Sequence, residues 1–271
     1  MHRLLIVSML AVALTACERE KSVATPAATT PQPAAVPAAP PPGGLVDVVE
    51  SQPGYIVGIT FPKSAARYPG LAADIKAYAD AARAELVNAA NARGADGSAA
   101  EMYDLSLTFT DVMETPALVA VAADGSSYTG GAHGSPLLER FVWLPQQDRR
   151  LTAEMLVPDA RNWKPISDLV REQLHTALSQ RLDADELPPE ERAALARSAG
   201  RMIDEGTEPK ADSFRQFEPV PGPGGKLVGL KFVFAPYQVG PYSDGVQSVQ
   251  LPAAALLPYI APEYRGLFAA Q

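Results

Sequence analysis

Thiols and imidazoles are scarce in this sequence. Its 271 residues include one cysteine and three histidines. A lone thiol rules out a disulfide framework within one chain and any thiolate-rich zinc site. Positive charge is also short. Lysine and arginine number 23 against 31 acidic residues, for a formal net charge of −8. No basic run follows the first few residues, so nucleic acid is excluded as a main partner. Long hydrophobic runs are missing after the N-terminus. The single one, Leu4 to Ala13, is too short to span a bilayer. What is present in excess is proline, 26 residues, beside a 47% apolar fraction that suits a packed core.

The lone cysteine explains the N-terminus. Arg3 gives a basic start, the apolar run follows, and Leu14-Thr15-Ala16-Cys17 closes it with small residues, the layout of a secretory signal. Leu-Thr-Ala-Cys also resembles a bacterial lipobox. That resemblance implies cleavage before Cys17 and acylation of its thiol and new amine. Several acyl chains, at about 0.8 kcal/mol per buried CH₂, suffice for durable anchoring in a membrane. Glu18, next in line, implies sorting to the outer membrane, facing the periplasm, by similarity to the enteric sorting rule. Residues 1–16 are thus expected to be a signal peptide. Residues 17–44 are expected to be a lipidated, disordered tether of alanine, proline and threonine. At about 3.1 Å per residue, the stretch from Glu18 to Gly44 reaches roughly 80 Å.

The folded part is expected over 45–271, either as one unit or as lobes 45–125 and 126–271. "VDVVES" and "YIVGITFP" read as strands joined by Gln52-Pro53-Gly54. Leu71, Ile75, Tyr78, Ala82, Leu86 and Ala89 recur at helical spacing to about Arg93. Tyr103, Leu105, Leu107 and Phe109 alternate as on a half-buried strand. "ALVAVAA" and "LLERFVWL" supply two more strands, and Gln146 to Arg150 turns the chain. Trp163 to Leu178 is helical with Asn162 as its cap, and Pro188-Pro189-Glu190-Glu191 opens another helix. "SFRQFEPV", "KLVGLKFVFAPY" and "VQSVQLP" return to strand before a helical end at Ala253 to Tyr259. Strands, helices, then strands with short joins predict an α+β domain with a mainly antiparallel sheet.

Two stretches stand out chemically. In "SSYTGGAHGSP", Gly130 and Gly131 permit positive φ, Ala132 permits close approach, and free N–H groups there can form an anion-binding concavity. His133 either donates to a ligand or locks a buried turn by bonding backbone carbonyls; without a second partner in view, the turn is the default. In "PYQVGPYSDG", Tyr237 and Tyr242 suit sugar stacking or a protein interface, or else plug the core edge. Asp244 before Gly245 reads as a turn former. Ser126, Ser127 and Ser135 lie near His133 in sequence, but no nucleophile-elbow pattern accompanies them. His175 sits within a helical pattern. Asp183, Asp185, Glu186, Glu190 and Glu191 read as solvated surface, and "GPGG" lacks the ending of a phosphate loop. An enzyme is not expected, the alternatives to a binding module being a periplasmic glycan hydrolase or deacetylase using His133 and a purely structural envelope lipoprotein, and no metal or cofactor is called for.

"YTGGAHG" (128–134) and "FAPYQVGPYSDGVQSVQLP" (234–252) together resemble the paired domains of unknown function in the lysozyme-sensing anti-sigma-V factor of Gram-positive bacteria. Similar domains precede the catalytic part of a peptidoglycan deacetylase. "YIVGITFPKSAARYPGLAADIKAYADAARAEL" resembles that family's opening strand and helix. The resemblance implies a binding role toward a lysozyme-like protein or peptidoglycan, with Tyr128, Gly130, Gly131, His133, Tyr237 and Tyr242 as ligand-binding candidates. The deacetylase's catalytic domain has no counterpart in this sequence.

Overall fold

The computed structural model describes residues 44–93, 102–185 and 187–269. Cys17, the signal peptide and nearly all of the tether lie outside the described residues. The rest forms an α+β domain, as expected, built on two sheets.

The first sheet has six strands in the order β1 (Val48–Gln52), β2 (Tyr55–Thr60), β3 (Tyr103–Glu114), β4 (Val119–Tyr128), β5 (Ser135–Leu144) and β6 (Arg149–Arg150). All neighbours pair antiparallel except β2 and β3, which run parallel. A parallel pair needs a crossover, and α1 (Pro69–Ala92) supplies it. Proline at its first position costs α1 nothing, because that N–H has no intrahelical partner. Leu71, Ala72, Ile75, Ala79, Ala82 and Leu86 form its buried stripe. They pack on Val57, Ile59, Leu105, Leu107, Phe109, Val121 and Phe141 to make the first core. Tyr78 meets Phe109 and Phe141 edge-on at 6.3 and 6.0 Å. Burial there pushes its phenol up to about 12.

The second core lies on the opposite side of the same strands. Met113, Ala120, Val142 and Leu144 point into it, while their neighbours Val119, Val121 and Trp143 face α1. Burial on both sides is why "ALVAVAA" is apolar without alternation. α2 (Ala153–Leu156), α3 (Trp163–Ala184) and α4 (Pro189–Gly206) follow. Trp163, Ile166, Val170, Leu174, Leu178 and Leu182 bury one stripe of α3 against the second sheet: β7 (Phe217–Pro221), β8 (Leu227–Phe234) and β9 (Gln247–Pro252), all antiparallel. Short helices α5 (Ala253–Leu256) and α6 (Pro262–Arg265) close the chain.

Two local expectations change. Asn162 occupies the cap position of α3 but makes no capping bond through its side chain; Asp159 instead accepts from Arg161 N one short turn earlier, at 3.0 Å. "SFRQFEPV" becomes a strand only at Phe217, because Phe214 turns inward in a 3₁₀ segment and stacks on Trp163, 5.3 Å apart and 7° from parallel. The polar 146–150 segment does turn, with Asp148 at φ 46°, and then adds β6 to the sheet. The 125/126 junction falls inside β4, a continuous strand.

A charge network centred on the buried pair Arg140–Glu218 joins the two sheets. Arg140 of β5 is 6% exposed and its Nε lies 2.6 Å from Oε1 of Glu218 on β7. Its other nitrogens donate to the carbonyls of Ala123 and Glu139 and to Asp124. The Gln216 side chain accepts from Arg140 N at 2.8 Å and donates to Glu139 at 2.8 Å. Arg150 pairs with Glu139, and Lys231 with Glu218. Three cations thus meet three carboxylates.

Candidate functional site

β4 ends at Tyr128 and β5 begins at Ser135, leaving a loop of small residues between them. Gly130 and Gly131 adopt φ of 96° and 99°, a region closed to most side chains, so the glycines are required for this path. The Tyr128 hydroxyl donates to Gly131 O at 3.1 Å and steadies the loop from inside. His133 is then presented outward and is exposed. The buried turn expected by default is therefore corrected: small residues here push the imidazole into solvent rather than seal it in.

The second stretch comes to meet it. Tyr237 follows β8 in a left-handed conformation, φ 72°, held by its own N–H donating to Gly240 O at 3.0 Å. Such a backbone is uncommon for a tyrosine and costs about 1 kcal/mol. Its hydroxyl lies 2.9 Å from His133 Nε2. Tyr242 opens a 3₁₀ turn, Tyr242–Asp244, and its ring stacks on His133 with centroids 3.8 Å apart and planes 14° from parallel. The two tyrosine rings are 5.7 Å apart. Asp244 anchors this turn to α3 by an ion pair with Arg181 at 2.8 Å, and Gly245 at φ 68° ends it. Asp244 is thus a turn former that also bears an ion pair.

The geometry sets the imidazole's tautomer. Nδ1 lies 3.2 Å from Gly134 O, and a carbonyl only accepts, so Nδ1 carries the proton. Nε2 then accepts from the Tyr237 hydroxyl. His133 has no carboxylate partner among the described residues, and neither Ser126, Ser127 nor Ser135 bonds to it. A Ser-His-Asp relay is not assembled. His175, on α3, bonds Asp204 of α4 at 3.1 Å, a contact between helices far from the loop in sequence. Asp183 pairs with Arg192, and Glu186 lies outside the described residues. Among the described residues no cluster of three His, Cys, Asp or Glu side chains could hold a metal ion.

All six residues singled out by sequence, Tyr128, Gly130, Gly131, His133, Tyr237 and Tyr242, therefore share one place. The site is a platform, not a pocket. A cleft of about 260 Å³, lined by Thr115, Leu118, Gly225, Lys226 and Leu267, lies by the β3–β4 turn at the other end of those strands. Tyr237, 55% exposed, offers an aromatic face and a hydroxyl to solvent, and Tyr242 supports the imidazole from below. Stacked and edge faces of this kind take up CH-rich rings, cations or another protein's side chains.

The architecture defines a two-sheet α+β domain with one helix over each sheet as its main packing partner. Among solved structures it is similar to a member of the DUF3298 family from Bacteroides fragilis NCTC 9343, with a TM-score of 0.50, 16% identity, and coverage of 82% of this chain and 94% of that one. It is also similar to a DUF3298 family protein from Pseudomonas aeruginosa PAO1, at TM-score 0.48 and 19% identity over 83% and 94%. The fold is thus one found in a bacterial domain of unknown function. The sequence matches no family model and no curated protein. No helix among the described residues is long and apolar enough to cross a membrane.

Proposed function

We propose that this chain is a lipid-anchored binding module of the bacterial cell envelope, tethered through Cys17. Its aromatic platform recognises a peptidoglycan-derived ligand or a lysozyme-like protein. The observation that carries this reading is the meeting of His133 with Tyr237 and Tyr242: two stretches over a hundred residues apart converge to expose rings instead of burying them. Aromatic residues held out in solvent, one of them on a strained backbone, are what a binding surface requires and a packed core does not. The lipobox supplies the address and the tether supplies reach. A net charge of −8 adds long-range attraction toward a basic lysozyme, an effect that salt weakens.

Immobilised lysozyme and insoluble peptidoglycan, each challenged with the full chain at low and high salt, test the reading. Retention on either, lost in Tyr242→Ala, is the expected result. No retention on either at low salt removes it.

A further inference from the structure

β4 changes character along its length. Every residue from Val119 to Ala123 is buried, and none from Asp124 to Tyr128 is. β3 shows the same asymmetry across its width: Leu105, Leu107 and Phe109 lie under α1, while Ser106, Thr108 and Thr110 are exposed. The register assembles these positions into rows. Gly58, Ser106, Ser126 and Pro136 stand side by side across β2 to β5. Thr60, Thr108, Asp124 and Leu138 form the row on one side, and Ile56, Asp104 and Tyr128 the row on the other. Residues paired across strands share a face, and this face points away from α1. Neither core includes any of these residues except through the distant ends of their strands, where Ala120 and Val142 begin the second core. With strands about 4.8 Å apart and same-face residues about 6.7 Å apart along them, the open area spans roughly 14 by 13 Å.

Its chemistry is specific. Four hydroxyls come from Thr60, Ser106, Thr108 and Ser126 and two carboxylates from Asp104 and Asp124, of which Asp124 keeps one oxygen on Arg140, and the rows themselves contain no lysine or arginine. Gly58, Ser106 and Ser126 keep the surface flat. Arg140, in the next row of this face, is 6% exposed and already bonded to Asp124 and Glu218, so the rows offer an anionic ligand no free cation. The apolar positions, Val49, Ile56, Pro136 and Leu138, lie at the edges of the polar field. Tyr128 ends one row, and its hydroxyl holds the loop that carries His133, so the face runs directly into the aromatic platform. Rings that stack CH faces, next to a flat field of hydroxyl donors and carboxylate acceptors, match a polyhydroxylated chain.

We infer that the open face of the first sheet continues the aromatic site, and that together they hold a linear, uncharged glycan chain of several sugar units. The inference rests on the aromatic platform being a ligand site.

Calorimetric titration of the full chain with the dimer and the hexamer of N-acetylglucosamine separates the two. The hexamer should bind about tenfold tighter or more, since each added hydrogen bond contributes roughly 0.5–1.5 kcal/mol. Ser106→Arg/Ser126→Arg should erase that gain and leave dimer binding in place, whereas Tyr242→Ala should weaken both. Thr108→Arg serves as a second variant should the first lose its cooperative melt. Equal affinity for dimer and hexamer, or a gain that survives the arginines, overturns the extension and leaves the platform standing. Binding of lysozyme without either sugar does the same. Binding of no sugar and no lysozyme overturns both. Concentration-dependent self-association in sedimentation, abolished by Ser106→Arg, overturns the glycan in favour of a second copy of this chain.

Discussion

Arg140 with Glu218, and His133 with Tyr237, are two long-range joints between the same two sheets, and they are built on opposite terms. The first is sealed. Arg140 and Glu218 are 6% and 7% exposed and form an ion pair, and the terminal nitrogens of Arg140 donate to Asp124 and to backbone carbonyls. The second is open. Tyr237 is 55% exposed and sits on a left-handed backbone, and His133 beside it is exposed. A joint made for stability saturates its polar groups and excludes water. A joint that leaves rings and hydroxyls to solvent, at a backbone cost, contributes little to folding. The buried joint thus fixes how the sheets pack, and the exposed joint depends on that packing.

The strongest way to break the comparison is at its sealed half. Arg140→Ala takes from Glu218 its buried partner and leaves it only the part-exposed Lys231, and removing one partner of a buried pair costs about 3–5 kcal/mol. Urea unfolding should show that loss, and a change under about 1 kcal/mol would mean that water reaches the pair. The open half should respond in the other currency. Tyr242→Ala removes the support under the imidazole; ligand affinity should fall about thirtyfold, near 2 kcal/mol, with stability altered by less than about 1 kcal/mol. Equilibrium binding and a melt on the same sample check both.

Tyr237→Gly sharpens the contrast further. Glycine adopts φ 72° freely, so stability should rise by up to about 1 kcal/mol while binding weakens. Loss of both would make Tyr237 a structural plug.

An effect confined to alkaline pH concerns the first core. Tyr78 is held neutral up to about 12 by burial, whereas the unfolded chain releases that proton near 10. Between those values the unfolded state binds fewer protons, so stability falls as pH rises. Tyr78→Phe should flatten that alkaline decline in a pH series of melts.

Much of this was legible in advance, for physical reasons. Strands and helices show in side-chain periodicity, and Gly130 and Gly131 announce positive φ by lacking a Cβ. Tyr128, His133, Tyr237 and Tyr242 could each be named as candidates. That His133 would stack on Tyr242 could not, because the contact depends on how one sheet packs on the other. Arg140 is inconspicuous inside "LLERFVWL", where Glu139-Arg140 looks like ordinary alternation. Two adjacent charges within an otherwise apolar strand were the available signal, since a strand buried on both faces must pair them. The 3₁₀ turn at Phe214 was hidden for a related reason: its neighbours have strand-like composition, and only the stack on Trp163 turns the chain inward.

The most direct measurement is the imidazole NMR spectrum of the full chain, whose histidines are His2, His133 and His175. Titrated with soluble muropeptide or with lysozyme, the His133 signals should shift saturably while those of His175, tied to Asp204 between two helices, stay in place. His133 signals that remain fixed at saturating amounts of both ligands would contradict the account.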